Sequence, residues 1–191
     1  PLIKSEGLDA VREFKRRFQG RVIVADMKTM DVGAAEVEMA SKAGADVVIV
    51  LGVADDSTIR EAVDAARRYG SRIMVDLLNV EDPVGRAGRL EELGVDYLCV
   101  HVGIDQQMKG VDPLEVLSKV ASRSKVPVAI AGGINSETAA KAVELGASIV
   151  VVGGAIIKAE DAEAAARAVK QAMLSRKPVR TELYKKYGEE E

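Results

Sequence analysis

Six consecutive residues concentrate reactive groups: Asp26-Met27-Lys28-Thr29-Met30-Asp31. They follow the apolar run 22–25 and so stand at the C-terminal end of a predicted strand. Residues i and i+2 of a strand share a face, which places Asp26 beside Lys28, with Asp31 just beyond in the loop. Two carboxylates around one ammonium keep it charged and fix its position. A carboxylate at a strand end also suits Mg²⁺, which prefers oxygen ligands and retains waters. The bland alternative is a surface ion-pair cluster at a helix start.

Other reactive groups recur at strand ends. His101, the single histidine, closes the run 97–100. An imidazole suits proton transfer near neutral pH, although a lone histidine is more often structural. Asp76 ends the run 73–77; it can face the same end of the fold or cap the loop near Asn79. Gly132-Gly133 and Gly153-Gly154 end the last two runs. Glycine lets backbone approach a ligand closely, and amides beside a helix start can cradle a phosphate. The alternative is that both pairs only make tight turns. Cys99 reads as core, and Met27 and Met30 as packing.

The elements that position these groups are strands and helices in alternation. Apolar, mostly β-branched runs cover 22–25, 47–51, 73–77, 97–100, 126–131 and 149–152. Helical patterns cover 34–43, 57–69, 84–93, 113–122, 136–145 and 162–174. Three helices end in a repeated signal, Gly44-Ala45-Asp46, Gly94-Val95-Asp96 and Gly146-Ala147-Ser148, where glycine takes the left-handed helix-ending conformation. Six strand–helix units imply a parallel sheet with right-handed crossovers. Reactive residues after strand upon strand favour a (β/α)₈ TIM barrel over a doubly wound sheet, which concentrates chemistry at its switch point. Ala131-Gly132-Gly133-Ile134-Asn135 is also not the dinucleotide fingerprint. An eight-stranded barrel needs two more strands, and the first 19 residues read as a loop and a helix over 8–18. The first strand–helix–strand unit is therefore expected to be missing; a six-unit open fold is the alternative. Residues 1–174 form the expected barrel domain, and 175–191 an exposed extension or linker.

Composition narrows the function classes. The hydrophobic fraction is 48% with aromatics at 3%, so the core must be aliphatic. A net charge of −3 gives no electrostatic case for nucleic acid or an anionic membrane. One cysteine excludes an internal disulfide and a cysteine-cluster zinc site. Without a leader-like start or a long apolar span, the expected location is the cytoplasm.

The hexapeptide resembles the D-x-K-x-x-D signature of the orotidine-monophosphate decarboxylase suprafamily, and its D-x-K-T-M-D form is most similar to the 3-hexulose-6-phosphate synthases. The resemblance continues through Val50-Leu51-Gly52-Val53, Val75-Asp76-Leu77, Val100-His101-Val102-Gly103-Ile104-Asp105-Gln106-Gln107 and Ala131-Gly132-Gly133-Ile134. It implies an aldolase that joins formaldehyde to ribulose 5-phosphate, and the reverse, through a Mg²⁺-stabilised enediolate. It implies Asp26 as metal ligand and Lys28, Asp31, Asp76 and His101 as catalytic residues. Asp105 and Gln106 would orient the histidine or the substrate. Gly132, Gly133, Gly153 and Gly154 would hold the phosphate. Many relatives carry arginine where Gly154 stands, so the grip would rely on backbone amides with Lys158 or a more distant cation helping. The counterpart of Asp31 crosses a dimer interface, which implies a homodimer. A second acidic metal ligand is expected from a strand this chain lacks, so the chain alone is expected to be inactive or nearly so. The rival enzyme is 3-keto-L-gulonate-6-phosphate decarboxylase; the rival from another class is a non-catalytic phosphate-binding or assembly module. The tail Lys177-Pro178-Val179-Arg180-Thr181-Glu182-Leu183-Tyr184-Lys185-Lys186-Tyr187 resembles the linker of archaeal fusions to a ribonuclease-regulator-like domain.

Overall fold

The structure, a computed structural model, describes residues 2–181. Its elements run α1 (Leu2–Glu6), α2 (Asp9–Arg17), β1 (Val24–Thr29), α3 (Gly33–Lys42), β2 (Val47–Leu51), α4 (Asp56–Tyr69), β3 (Arg72–Asp76), α5 (Pro83–Leu93), β4 (Tyr97–His101), α6 (Ile104–Met108), α7 (Pro113–Ala121), β5 (Val128–Ala131), α8 (Ala139–Glu144), β6 (Ala147–Val151), α9 (Gly154–Ile157) and α10 (Ala162–Ser175). The six strands neighbour one another in chain order, β1-β2-β3-β4-β5-β6. The described pairings are parallel. A doubly wound sheet reverses its order at a switch point, whereas sequential order with helices between is that of a (β/α) barrel.

Two compact units divide the chain. The first holds the residues up to Cys99 together with Ser124–Val126; the second holds Val100–Arg123 and the described residues from Pro127 onward. In the first unit, β2 is buried over Val47–Val50, and α3 and α4 pack against each other. Helix α4 shows how sequence specifies an element here. Asp55 caps its start by accepting from the Ser57 N–H, Ile59, Ala62, Val63 and Ala66 form the buried stripe, and Gly70 ends it at φ +76°. Helix α5 repeats the plan with Asp82 as cap, Pro83 in its first turn and Gly94 at its end. In the second unit, Asp112 and Asp161 cap α7 and α10, and β5 is buried throughout.

The repeated helix-ending signal carries more than a turn. The Asp46 carboxylate accepts from the Ile23 N–H at 2.7 Å, and the Asp96 carboxylate accepts from the Ile73 N–H at 2.8 Å. Each aspartate thus staples the end of a helix to the start of the preceding strand. The third copy has Ser148 in this place.

Several boundaries differ from expectation. Helix α1 occupies residues expected to be loop. Strand β1 starts two residues late and runs on through Asp26 and Lys28, because its backbone pairs with β2 as far as Thr29 opposite Val50. Helix α8 is shorter than predicted: the Asn135 carboxamide accepts from the Glu137 and Thr138 N–H groups and holds residues 136–138 in a turn. The short helices α6 and α9 carry too few residues to show a period. In the expected C-terminal extension, Ser136 donates its hydroxyl to the Val179 carbonyl at 2.6 Å, and the Val179 N–H bonds back to the Ser136 carbonyl at 3.1 Å. Residues 182–191 lie outside the described residues. No helix among the described residues is long and apolar enough to cross a membrane.

Two glycines test this packing. A methyl group at Gly33 would stand 2.2 Å from the Thr58 carbonyl oxygen, whereas one at Gly88, exposed within α5, would meet nothing within 4 Å. Gly33→Ala is expected to destabilise the protein by about 1–3 kcal/mol, the usual cost of overpacking. Gly88→Ala is expected to stabilise it by roughly 0.5–1 kcal/mol through lower backbone entropy in the unfolded chain. Urea unfolding of the two variants reads both signs.

Candidate functional site

In the first unit, Lys28 reaches from β1 to β3. Its Nζ stands 2.7 Å from Asp76 Oδ2 and 3.2 Å from Asp26 Oδ2. Asp76 is 2% exposed, and a carboxylate buried that deeply needs a partner charge. Burial works against the Lys28 charge, but its hydrogen bond and attraction to Asp76, and then those to Asp26, raise its pKa above the ordinary 10.5. Lys28 achieves this reach with φ +51°, a left-handed backbone unusual for a side-chain-bearing residue, and the β1–β2 register shifts at the same place. Asp26 meets Lys28 as the i, i+2 spacing predicts, while Ala25 and Thr29 are the buried residues of β1.

Asp76 also orders the loop behind it. Its Oδ1 accepts from the Leu78 N–H at 2.9 Å, so it caps this loop while it holds Lys28. Its carbonyl accepts from the Gly52 N–H at 2.7 Å. Arg86, from α5, fixes that neighbouring loop in turn: Nε donates to the Gly52 carbonyl at 2.7 Å, Nη2 donates to the Ala54 carbonyl at 2.9 Å, and Nη1 pairs with Asp56. A single arginine on a helix face carries no sequence mark of such a clamp, and sequence reasoning missed it. Cys99 lies buried on β4, where burial and then the Asp76 charge push its thiol pKa well up; it is the inert core residue expected.

Asp31 does not join the cluster. It is exposed, and its Oδ1 accepts from the Val32 N–H at 2.7 Å. The second carboxylate beside Lys28 is Asp76, 48 residues further along the chain. Val32 holds φ +48°, a strained value for a β-branched residue.

In the second unit, His101 is the last residue of β4, half-buried, and the chain leaves it through Val102 into α6. Gly132 and Gly133 follow β5 at φ +95° and +68°. They do not face open space. A methyl group at Gly132 would stand 2.2 Å from the Val102 carbonyl oxygen, and one at Gly133 would stand 2.4 Å from Gln107 Oε1. Gly153 differs: a methyl group there would meet nothing within 4 Å, and Gly153 and Gly154 open the short helix α9. The side chain of Asp105 falls outside what is described, while Gln106 accepts from the Gly103 N–H at 3.2 Å.

No three His, Cys, Asp or Glu side chains among the described residues form a metal-binding group. Mg²⁺ does not require such a cage, since one or two carboxylates with water and substrate oxygens suffice. Asp26 fits that minimal role, being half exposed and joined to Lys28 through one oxygen.

The family model described as "Orotidine 5'-phosphate decarboxylase / HUMPS family" matches residues 1–169. The 3-hexulose-6-phosphate synthase of Bacillus subtilis is 42% identical over 172 residues, covering 90% of this chain and 82% of that protein. The crystal structure of 3-hexulose-6-phosphate synthase from Salmonella typhimurium superposes with a TM-score of 0.88 at 39% identity, covering 92% of this chain and 84% of that one. The 3-keto-L-gulonate-6-phosphate decarboxylase of Vibrio cholerae shares the fold, with a TM-score of 0.79 at 24% identity over 92% of this chain and 83% of that one. By sequence and by fold, this chain belongs to the orotidine 5'-phosphate decarboxylase / HUMPS family.

Proposed function

We propose that the protein is an aldolase of the 3-hexulose-6-phosphate synthase type, which adds formaldehyde to ribulose 5-phosphate and cleaves the product in reverse. The observation that carries this reading is the Asp76–Lys28–Asp26 cluster, anchored on the buried Asp76, in a chain about 40% identical to such synthases. Identity to the decarboxylase structures is only 21–24%, so the rival reading has the fold in its favour and little else.

The difficult step removes a proton from carbon 1 of the sugar phosphate, beside its ketone, and leaves an enediolate. That carbon then attacks the carbonyl carbon of formaldehyde; a carbon–carbon bond forms and the former aldehyde oxygen takes up a proton. Lys28 is the cation placed to stabilise the developing negative charge, and Asp76 keeps that ammonium fixed so that it need not reorganise during reaction. His101 carries the proton. Bound Mg²⁺ would be held by Asp26 and would supply further positive charge for the enediolate oxygens. The phosphate is assigned to Gly132, Gly133, Gly153 and Gly154, with Lys158 assisting. Asp31, exposed and apart from Lys28, is assigned to the partner's site in a homodimer. The proposed compartment is the cytoplasm. The tail motif beginning at Lys177 supports a fusion to a ribonuclease-regulator-like domain.

Three kinds of outcome are expected. In a barrel-complete protein, formaldehyde-dependent consumption of ribulose 5-phosphate should vanish with EDTA and return with Mg²⁺; full activity in EDTA overturns the metal assignment. Lys28→Ala should lower turnover by about 10²–10³, the worth of one preorganised electrostatic group. His101→Asn should cost about 10²–10⁴ if it moves the proton. In either variant a near-native rate in folded protein removes that residue from the mechanism. The third concerns pH. The raised Lys28 pKa means that its contribution to folding is complete below pH 10.5 and is lost only as pH rises through the folded-state value. The stability difference between the native protein and Lys28→Met should therefore stay constant in urea unfolding from about pH 7 to 10 and shrink above that range.

A further inference from the structure

The loop that leaves His101 and the turn that follows β5 lie in the same unit, and one side chain ties them together. Gln107, on α6, donates from Nε2 to the Val102 carbonyl at 2.7 Å. Its backbone N–H bonds to the Gly103 carbonyl at 3.0 Å. Its carboxamide rests on the glycine pair: a methyl group at Gly132 would stand 3.0 Å from Nε2, and one at Gly133 would stand 2.4 Å from Oε1. The Val102 N–H completes the link by donating to the Ala131 carbonyl at 3.4 Å. Two left-handed glycines in succession thus serve a contact within the protein, since any side chain at either position would expel the Gln107 carboxamide or the Val102 carbonyl. Helix α6 has five residues, too few to hold its shape by its own hydrogen bonds, so tertiary contacts such as this one set its position.

We propose that Gln107 is a positioning residue for the phosphate-holding turn. Its carboxamide fixes the Gly132–Gly133 backbone against the Val102 carbonyl, one residue beyond His101, and so sets the phosphate grip relative to the residue that carries the proton. The role in catalysis rests on the aldolase reading above. The chemistry of the contact is specific to an amide. Methionine matches its length but donates nothing. Glutamate matches its shape but turns an acceptor toward the Val102 carbonyl, which is itself an acceptor.

The test uses Gln107→Met and Gln107→Glu in the barrel-complete protein. Loss of one hydrogen bond of ordinary strength predicts a rise of about three- to tenfold in the KM for ribulose 5-phosphate and an equal rise in the Ki of inorganic phosphate. The KM for formaldehyde, which carries no phosphate, should not move. A merely structural role would reduce the active fraction, lowering kcat while leaving all three constants unchanged; that result overturns the proposal. A second measurement does not depend on turnover. Gly133→Ala presses on Gln107 Oε1, and Gln107→Ala removes the obstacle, so the destabilisation of the double variant in thermal unfolding should be less than the sum of the two single changes. Simple additivity overturns the contact. If the unaltered protein binds phosphate but does not consume ribulose 5-phosphate with formaldehyde, the aldolase reading falls, while the phosphate affinity of the variants and the unfolding cycle still decide the role of Gln107.

Discussion

A carboxylate buried as deeply as that of Asp76 is tolerated only where something answers its charge, and most of the first unit's local geometry follows from that requirement. The answer is the Lys28 ammonium, reaching across from another strand. Along the way β1 takes a left-handed residue and shifts its register against β2. The oxygen that Lys28 leaves unused caps the following loop at Leu78, and the Asp76 backbone holds the loop at Gly52, which Arg86 locks from outside. A cation held in this way is already in place when negative charge develops nearby, which is the condition for electrostatic catalysis.

Much of this fold was legible in the sequence. Six β-branched runs, bounded by helix patterns and by helix-ending glycines, gave six strands and their parallel order, because burial on both faces leaves a continuous apolar signature. The candidate residues were legible as types at strand ends. Their partnerships were less so. Asp31 lies three residues from Lys28 and was expected beside it; Asp76 lies 48 residues away and takes that place, since the sheet brings β1 and β3 within reach through β2. The alternation argument brought Asp26 to Lys28, but it carried no sign that Lys28 itself holds a positive φ. Glycine is ambiguous in the same way: the sequence marks Gly132 and Gly133 as special, but the side chain that needs their emptiness lies on a separate helix.

Backbone strain is distributed with the same economy. Lys28, Val32 and Asn79 hold positive φ, and a left-handed non-glycine residue costs of order 1–3 kcal/mol. A carboxylate bonds backbone at or beside two of them: Asp31 holds the Val32 N–H, and Asp76 holds the Leu78 N–H just before Asn79. Strain of this kind persists where surrounding bonds overdetermine it, and at Val32 and Asn79 it lies in the loops that leave β1 and β3.

The aspartate staples at the helix ends bear on a different property, the order in which the chain assembles. Asp46 bonds Ile23 and Asp96 bonds Ile73, each across 23 residues. Closing a segment of that length costs somewhat less conformational entropy than joining distant parts of a chain, about 0.6 kcal/mol for each halving of length. Contacts so near in sequence lower the contact order, on which folding rates of small domains depend. Each stapled strand–helix arch can therefore close on itself before its neighbours do, and a later strand meets an edge that is already formed.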